Sequence, residues 1–296
     1  SQLPWSLEQA DLSFCHSGGL DWDAHAALAS MGNKAQVAAN IDELVIDLRY
    51  NGGGLLALAS QLGYMVTGPN IIQDSFFERT IFNDKYPNTN PVTGQTLSPV
   101  PFYSKVIDYE AGRLTDTDLP SLNLSRVFIL STGNTCSASE AFINGLRGID
   151  VEVILIGDQT CGKPYGFYPT DNCGTTYFTI QFTGVNAKGF GDYADGFNPT
   201  NSPVFAADVK GCPVADDFSK VLGDPEEDML EAALYYVDNN SCLTLPGSAV
   251  NKALGALSGI AAGVSGTKVS AGPAVKDPTA RPLTNSIRQP IRDQQE

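Results

Sequence analysis

Ser137 stands in Asn134-Thr135-Cys136-Ser137-Ala138-Ser139-Glu140, and Lys163 follows 26 residues later in Gly157-Asp158-Gln159-Thr160-Cys161-Gly162-Lys163. A serine hydroxyl becomes a useful nucleophile only when a nearby base takes its proton. The chain has two histidines, His16 and His25, and neither is close to Ser137 in sequence. A lysine can replace histidine if an apolar pocket keeps it neutral, which means lowering its pKa from about 10.4 towards 7, ~4 kcal/mol of environmental bias. Apolar runs flank both residues and offer such a pocket. The chemistry this pairing suggests is acyl transfer through a Ser–Lys dyad.

A third segment, Asp47-Leu48-Arg49-Tyr50-Asn51-Gly52-Gly53-Gly54, ends an apolar run with three glycines. Backbone N–H groups of Gly52 and Gly53 can turn towards a developing oxyanion there. A phosphate cradle is the rival reading, but no G-K-[ST] follows and no G-x-G-x-x-G is present. A plain tight turn is the simplest alternative. Ser137 opens a helical pattern after a buried strand, so its hydroxyl and the Ala138 N–H lie at a helix N-terminus that favours negative charge. The same Ser-x-x-Glu spacing also fits a capping box closed by Glu140, and the two roles are compatible. A lone loop lysine is ordinarily a solvated charge. The combination of hydroxyl, amine and glycine N–H groups at three strand ends is what makes the set specific.

The elements that must position these residues follow from periodicity. Asp21–Ala39 and Leu55–Val66 have helical spacing, as does Ala138–Leu146, and Pro225–Asn239 is helix-like. Leu44–Leu48, Val127–Leu130 and Val151–Ile156 are short continuous apolar runs, the pattern of strands buried on both faces. Ser75–Phe82 reads as a strand, 83–101 as a loop rich in Asn, Pro, Thr and Gly, and Thr175–Thr183 as an alternating edge or antiparallel strand. Strands alternating with helices predict an α/β fold with mainly parallel pairing.

The 296 residues are 42% hydrophobic, enough for a full core, and 33 acidic against 18 basic side chains give a net charge of −15. That surface repels nucleic acid and anionic lipid, so neither is an expected partner. No run approaches the roughly 20 apolar residues of a membrane span. The opening Ser-Gln-Leu-Pro-Trp reads as a processed or trimmed form. Residues 1–40 form an atypical N-terminal segment, 41–243 the core, and 244–296 a Gly/Ala/Ser/Pro-rich tail expected to be disordered, with a short helix possible at 250–260. The cysteines at 15, 136, 161, 173, 212 and 242 include no C-x-x-C, so zinc is disfavoured and no metal or cofactor is expected. Cys161 and Cys173 bracket a short loop, and Cys212 and Cys242 bracket the last helix. These are the preferred disulfide pairs, with free buried cysteines as the alternative, and they suggest an oxidising compartment.

Asp47-Leu48-Arg49-x-Asn51-x-Gly53-Gly54, Ser137-Ala138-Ser139-Glu140 and Thr160-x-Gly162-Lys163, in that order, resemble the carboxyl-terminal processing peptidases of the tricorn-core serine peptidase family over about residues 41–240. The resemblance implies a crotonase-like ββα spiral core and metal-free serine endopeptidase activity on polypeptides in a bacterial periplasmic or secreted location. It implies Ser137 as nucleophile, Lys163 as general base, and the Ala138 N–H with a glycine N–H from Gly52–Gly53 as oxyanion hole. Gly196-Phe197-Asn198-Pro199 resembles the family's Gly-x-x-Pro turn, with Thr200 in place of its usual Asp. Many members orient the lysine with a glutamine four residues later, and here that position is Phe167. The peptide-binding PDZ module that usually precedes the Asp-Leu-Arg motif is not recognisable. An inactive peptide-binding member of the same fold is therefore the alternative. A tricorn-like branch uses histidine as base, but no family motif surrounds His25, and Asp192 and Asp195 are the candidates for its acidic support. Arg49 is expected to anchor its strand end through a salt bridge.

Overall fold

Val127-Phe128-Ile129-Leu130 and Val153-Ile154-Leu155-Ile156 are all buried, and alternate side chains in each run enter two different apolar clusters. A strand with both faces covered needs a continuous apolar run rather than an alternating one. The computed structural model describes residues 41–109 and 111–243. The expected helices at 21–39 and 250–260, and the expectations for 1–40 and 244–296, lie outside these residues.

In chain order the described elements are β1 (Val45–Asp47), α1 (Leu56–Thr67), the single turn α2 (Pro69–Ile72), β2 (Arg79–Ile81), β3 (Lys105–Asp108), β4 (Arg113–Asp118), β5 (Arg126–Ser131), α3 (Ala138–Gly148), β6 (Glu152–Gly157), β7 (Tyr165–Gly166), β8 (Thr170–Asn172), β9 (Thr175–Tyr177), β10 (Phe182–Val185), β11 (Asn198–Thr200), β12 (Asp208–Pro213) and α4 (Asp228–Asn239). The fold is mixed α/β. Its central sheet has the order β1-β5-β6-β12-β11, and every neighbouring pair is parallel.

Val127, Ile129, Val153 and Leu155 pack with Leu62, Met65 and Val66 of α1 and with Phe142, Ile143 and Leu146 of α3. On the opposite face Phe128, Leu130, Ile154 and Ile156 pack with Met229, Ala232, Ala233 and Tyr236 of α4. A smaller antiparallel sheet, β2-β10-β7, and the hairpins β3-β4 and β8-β9 lie outside this three-layer body.

Several boundaries differ from the sequence expectation. The single strand expected at Thr175–Thr183 is two elements: β9 pairs with β8 in a hairpin, and β10 crosses to β2 and β7. The Gln181 carboxamide between them accepts the Tyr168 N–H at 2.7 Å instead of extending a strand. The strand expected at Ser75–Phe82 is paired in a ladder only over Arg79–Ile81, because Glu78 joins Val100 through an isolated bridge. The helix expected from Pro225 starts at Asp228, where the Glu227 carboxylate caps the Leu230 N–H at 3.1 Å.

Candidate active site

The loops leaving β1, β5 and β6 meet at the carboxyl end of the parallel sheet, the usual place for a ligand crevice in this class of fold. Their meeting is fixed by hydrogen bonds. The Thr135 hydroxyl donates to the Leu48 carbonyl at 2.7 Å, the Cys136 N–H to Asn51 O at 3.0 Å, and the Cys161 N–H to Thr135 O at 3.1 Å. The three motifs singled out in the sequence are thus adjacent in space.

Ser137 is the N-cap of α3, with φ 58° and ψ −112°. A non-glycine residue in this region stores of order 1–3 kcal/mol and persists only where its surroundings hold it. What holds it is Glu140. This fully buried carboxylate accepts the Ser137 N–H at 2.9 Å and the Lys163 N–H at 2.8 Å on Oε2. On Oε1 it accepts the Gly162 N–H and the Thr160 hydroxyl, both at 2.7 Å. Four donors from two loops offset the cost of burying the charge. The expected capping box at the Ser137 N-cap is present, and the other three Glu140 bonds reach the lysine loop.

The glycine turn closes on the same point. Gly53 has φ 104°, and a Cβ there would meet Ser137 Cβ at 2.6 Å, Cys136 O at 2.8 Å and Ala138 N at 2.9 Å. Only glycine lets this backbone pass so near the serine and the Ala138 N–H. Asn51 staples the turn to α3: its Oδ1 accepts the Gly53 N–H and the Ser139 hydroxyl, both at 2.9 Å. The Gly53 N–H is thereby engaged by Asn51, and space beside Gly52 is open.

Lys163 is held by its backbone more firmly than by its side chain. Gly162, at φ 81°, lies directly against the Ala194 carbonyl, and Pro164 O accepts the Gly184 N–H at 3.3 Å and the Thr183 hydroxyl at 3.1 Å. Lys163 is half-buried, its amine lies over the Phe167 ring, 5.0 Å from the centroid, and Phe167 packs edge-on against Phe178. The aromatic that replaces the orienting glutamine is therefore itself the lysine's neighbour. No hydrogen bond joins the Ser137 hydroxyl to the Lys163 amine among the described residues. Asp192 and Asp195 are exposed in the turn before Gly196, with no hydrogen bond from their carboxylates to either residue. His25 lies outside the described residues.

Cys136 is bonded to Cys161, with Cα atoms 5.2 Å apart, and Cys212 to Cys242. The second pairing is as expected, whereas Cys161–Cys173 is corrected. Cys173 is a free, exposed residue at the tip of the β8-β9 hairpin. What brings the true partners together is strand pairing: Cys136 and Cys161 follow the ends of β5 and β6, which are paired at Ser131 and Gly157. Cys136, Glu140 and Cys161 present ligand atoms within 4.8 Å of one another, but the sulfurs are joined and both carboxylate oxygens already accept donors, so no ligand set is free.

Behind the site Arg49, 1% exposed, forms a bidentate pair with Asp47 and reaches Asp216 at 3.0 Å and Glu227 at 2.9 Å. Burial works against its charge, yet the bond to Asp47 and the other carboxylates raise its pKa above the ordinary arginine value. The expected anchoring role is present.

The sequence pattern of peptidase family S41 matches residues 17–168, just over half of the chain. This chain belongs to peptidase family S41. Among solved structures it is similar to a protein from Bacteroides fragilis NCTC 9343 described as an S41 protease, with TM-score 0.59 and 24% identity over 76% of this chain and 52% of that one. A photosystem II D1 C-terminal processing protease matches at TM-score 0.39 and 18% identity, over 60% of this chain and 38% of that one. This S41 chain thus spans about half the length of the Bacteroides protein, and that likeness shows the fold. No curated protein matches it.

Proposed function

We propose that this S41 chain is a serine endopeptidase that hydrolyses polypeptides through an acyl-enzyme on Ser137, with Lys163 as general base. The observation that carries the reading is the Glu140 carboxylate, which ties the strained Ser137 turn to the Lys163 loop through one pair of oxygens. In the reaction the neutral Lys163 amine takes the Ser137 proton as Oγ attacks the scissile carbonyl. The Ala138 N–H and the Gly52 N–H face the resulting oxyanion, since the Gly53 N–H is already taken by Asn51. The ammonium then returns its proton to the leaving amine, and water enters by the same route in reverse to release the acid. The amine must move from the Phe167 ring towards Ser137 to do this, since no hydrogen bond joins the two groups among the described residues. Substrate adds as an extended strand along the site. Residues 41–243 are the working core, and two disulfides support an oxidising, periplasmic or secreted setting.

Lys163 resting on Phe167 favours a second reading, in which the chain binds peptides without cleaving them. A fluorophosphonate probe with peptide hydrolysis separates the two. Stoichiometric labelling at Ser137, with turnover lost in Ser137→Ala and nearly lost in Lys163→Ala, supports the enzyme. Full hydrolysis by Ser137→Ala ends that reading, and a folded chain that neither labels nor cleaves supports the binder.

A further inference from the structure

The Cys136–Cys161 disulfide joins the residue immediately before the candidate nucleophile to the residue two before the candidate base. We propose that this bond is a positioning element for the Ser137–Lys163 pair, so that its oxidation state sets the catalytic rate. The inference rests on the dyad reading above. Without the disulfide the lysine loop is tied to the serine turn by hydrogen bonds, three of which converge on Glu140 and one of which runs from the Cys161 N–H to Thr135 O. The strained φ of Ser137 relies on the same contacts.

Reduction also places a new donor at an oxygen that already accepts two N–H groups. The Cys161 sulfur lies 3.6 Å from Glu140 Oε2, the oxygen that accepts the N–H groups of both Ser137 and Lys163. Oxidised, that sulfur has no proton to give. Reduced, its S–H competes with those two N–H groups. Cys161 is the exposed partner and Cys136 the half-buried one, so a soluble dithiol meets Cys161 first. One thiolate of the dithiol attacks the Cys161 sulfur, the bond to Cys136 breaks, and Cys136 leaves as a thiolate that takes up a proton. The second thiol of the reductant then closes on the mixed disulfide and releases Cys161 as a thiol. Two electrons pass to the protein and the reductant becomes a cyclic disulfide.

Cys212–Cys242 supplies an internal control. It lies in the cluster on the α4 face of the sheet, opposite the face that packs against α3. The test measures kcat, KM and fluorophosphonate labelling of Ser137 for the wild type, Cys212→Ser/Cys242→Ser and Cys136→Ser/Cys161→Ser, each with and without dithiothreitol, and a melting curve for every sample. The expected result is a fall in kcat of about 10²-fold on reducing the wild type, with KM within about twofold. Cys212→Ser/Cys242→Ser should respond as the wild type does, and Cys136→Ser/Cys161→Ser should be slow in both states. Wild-type kcat in reduced protein or in Cys136→Ser/Cys161→Ser overturns the inference while labelling of Ser137 leaves the dyad standing. Melting of the reduced wild type below the assay temperature overturns it in favour of a purely structural bond. An oxidised wild type that neither labels nor cleaves removes the dyad reading and this inference with it.

Discussion

The buried Glu140 side chain is held by four hydrogen-bond donors, and no salt bridge reaches it among the described residues. Replacing one carboxylate oxygen by an amide N–H turns an acceptor into a donor facing other donors. Glu140→Gln is therefore expected to lower stability by about 2–3 kcal/mol and to lower kcat more than it raises KM. Thermal melting and steady-state kinetics check both parts, and a variant with unchanged kcat would show that Glu140 serves folding alone. Gly53 makes a sharper demand, because it combines φ 104° with contacts under 3 Å to the serine turn. Gly53→Ala is expected to cost about 1–3 kcal/mol in backbone strain alone and to abolish labelling of Ser137. The displaced atoms belong to Ser137, Cys136 and Ala138.

Between elements, Arg49 is the tie that joins the end of β1 to the start of α4, because Glu227 both caps α4 and receives the guanidinium. Arg49→Met would leave Glu227 buried and unpaired, and denaturant titration should show a loss of about 3–5 kcal/mol. Glu78, between α2 and the β2 ladder, lies flat against Gly184 of β10, and burial pushes its pKa up to about 7. A raised carboxyl favours folding while it is protonated. Its contribution is present below the ordinary value of 4.5 and is lost as pH rises through about 7. Glu78→Gln stays neutral, so it should overtake the wild type in stability between pH 5 and pH 8, by at most about 3 kcal/mol. A constant difference across that range would remove the argument. Legibility in the sequence follows the same physics. The strands β5 and β6 were readable because burial on both faces forces unbroken apolar runs, and α1 and α3 because their apolar stripes face that sheet. The β3-β4 hairpin and β12 were not, since Arg113–Asp118 is largely exposed and Asp208–Pro213 mixes charged, glycine and proline residues. At the site, the residue types of Ser137, Lys163 and the glycine turn were legible. The reach of Glu140 across loops and the Cys136–Cys161 bond depend on which strands are neighbours, which no local pattern encodes.

At the scale of the whole molecule, the carboxyl end of the sheet gathers acidic groups as well as the candidate dyad. Asp158, Asp192 and Asp195 are exposed around the lysine loop, and Asp216 pairs with Arg49 beside the glycine turn. Arg49 faces three carboxylates, so its single positive charge leaves that cluster net negative. With a net charge of −15 over the full chain, an approaching peptide meets a negative potential at the candidate site. Two peptides with the same cleavable core but flanked by lysines or by glutamates should then differ in kcat/KM by about tenfold or more at low ionic strength, the cationic one being faster. The difference should shrink as salt rises from about 0.01 M to 0.15 M and the Debye length falls from about 30 Å to 8 Å, while kcat at saturation stays nearly constant. Preference for the acidic peptide, or a ratio insensitive to salt, would mean that recognition at this site is set by contact chemistry alone.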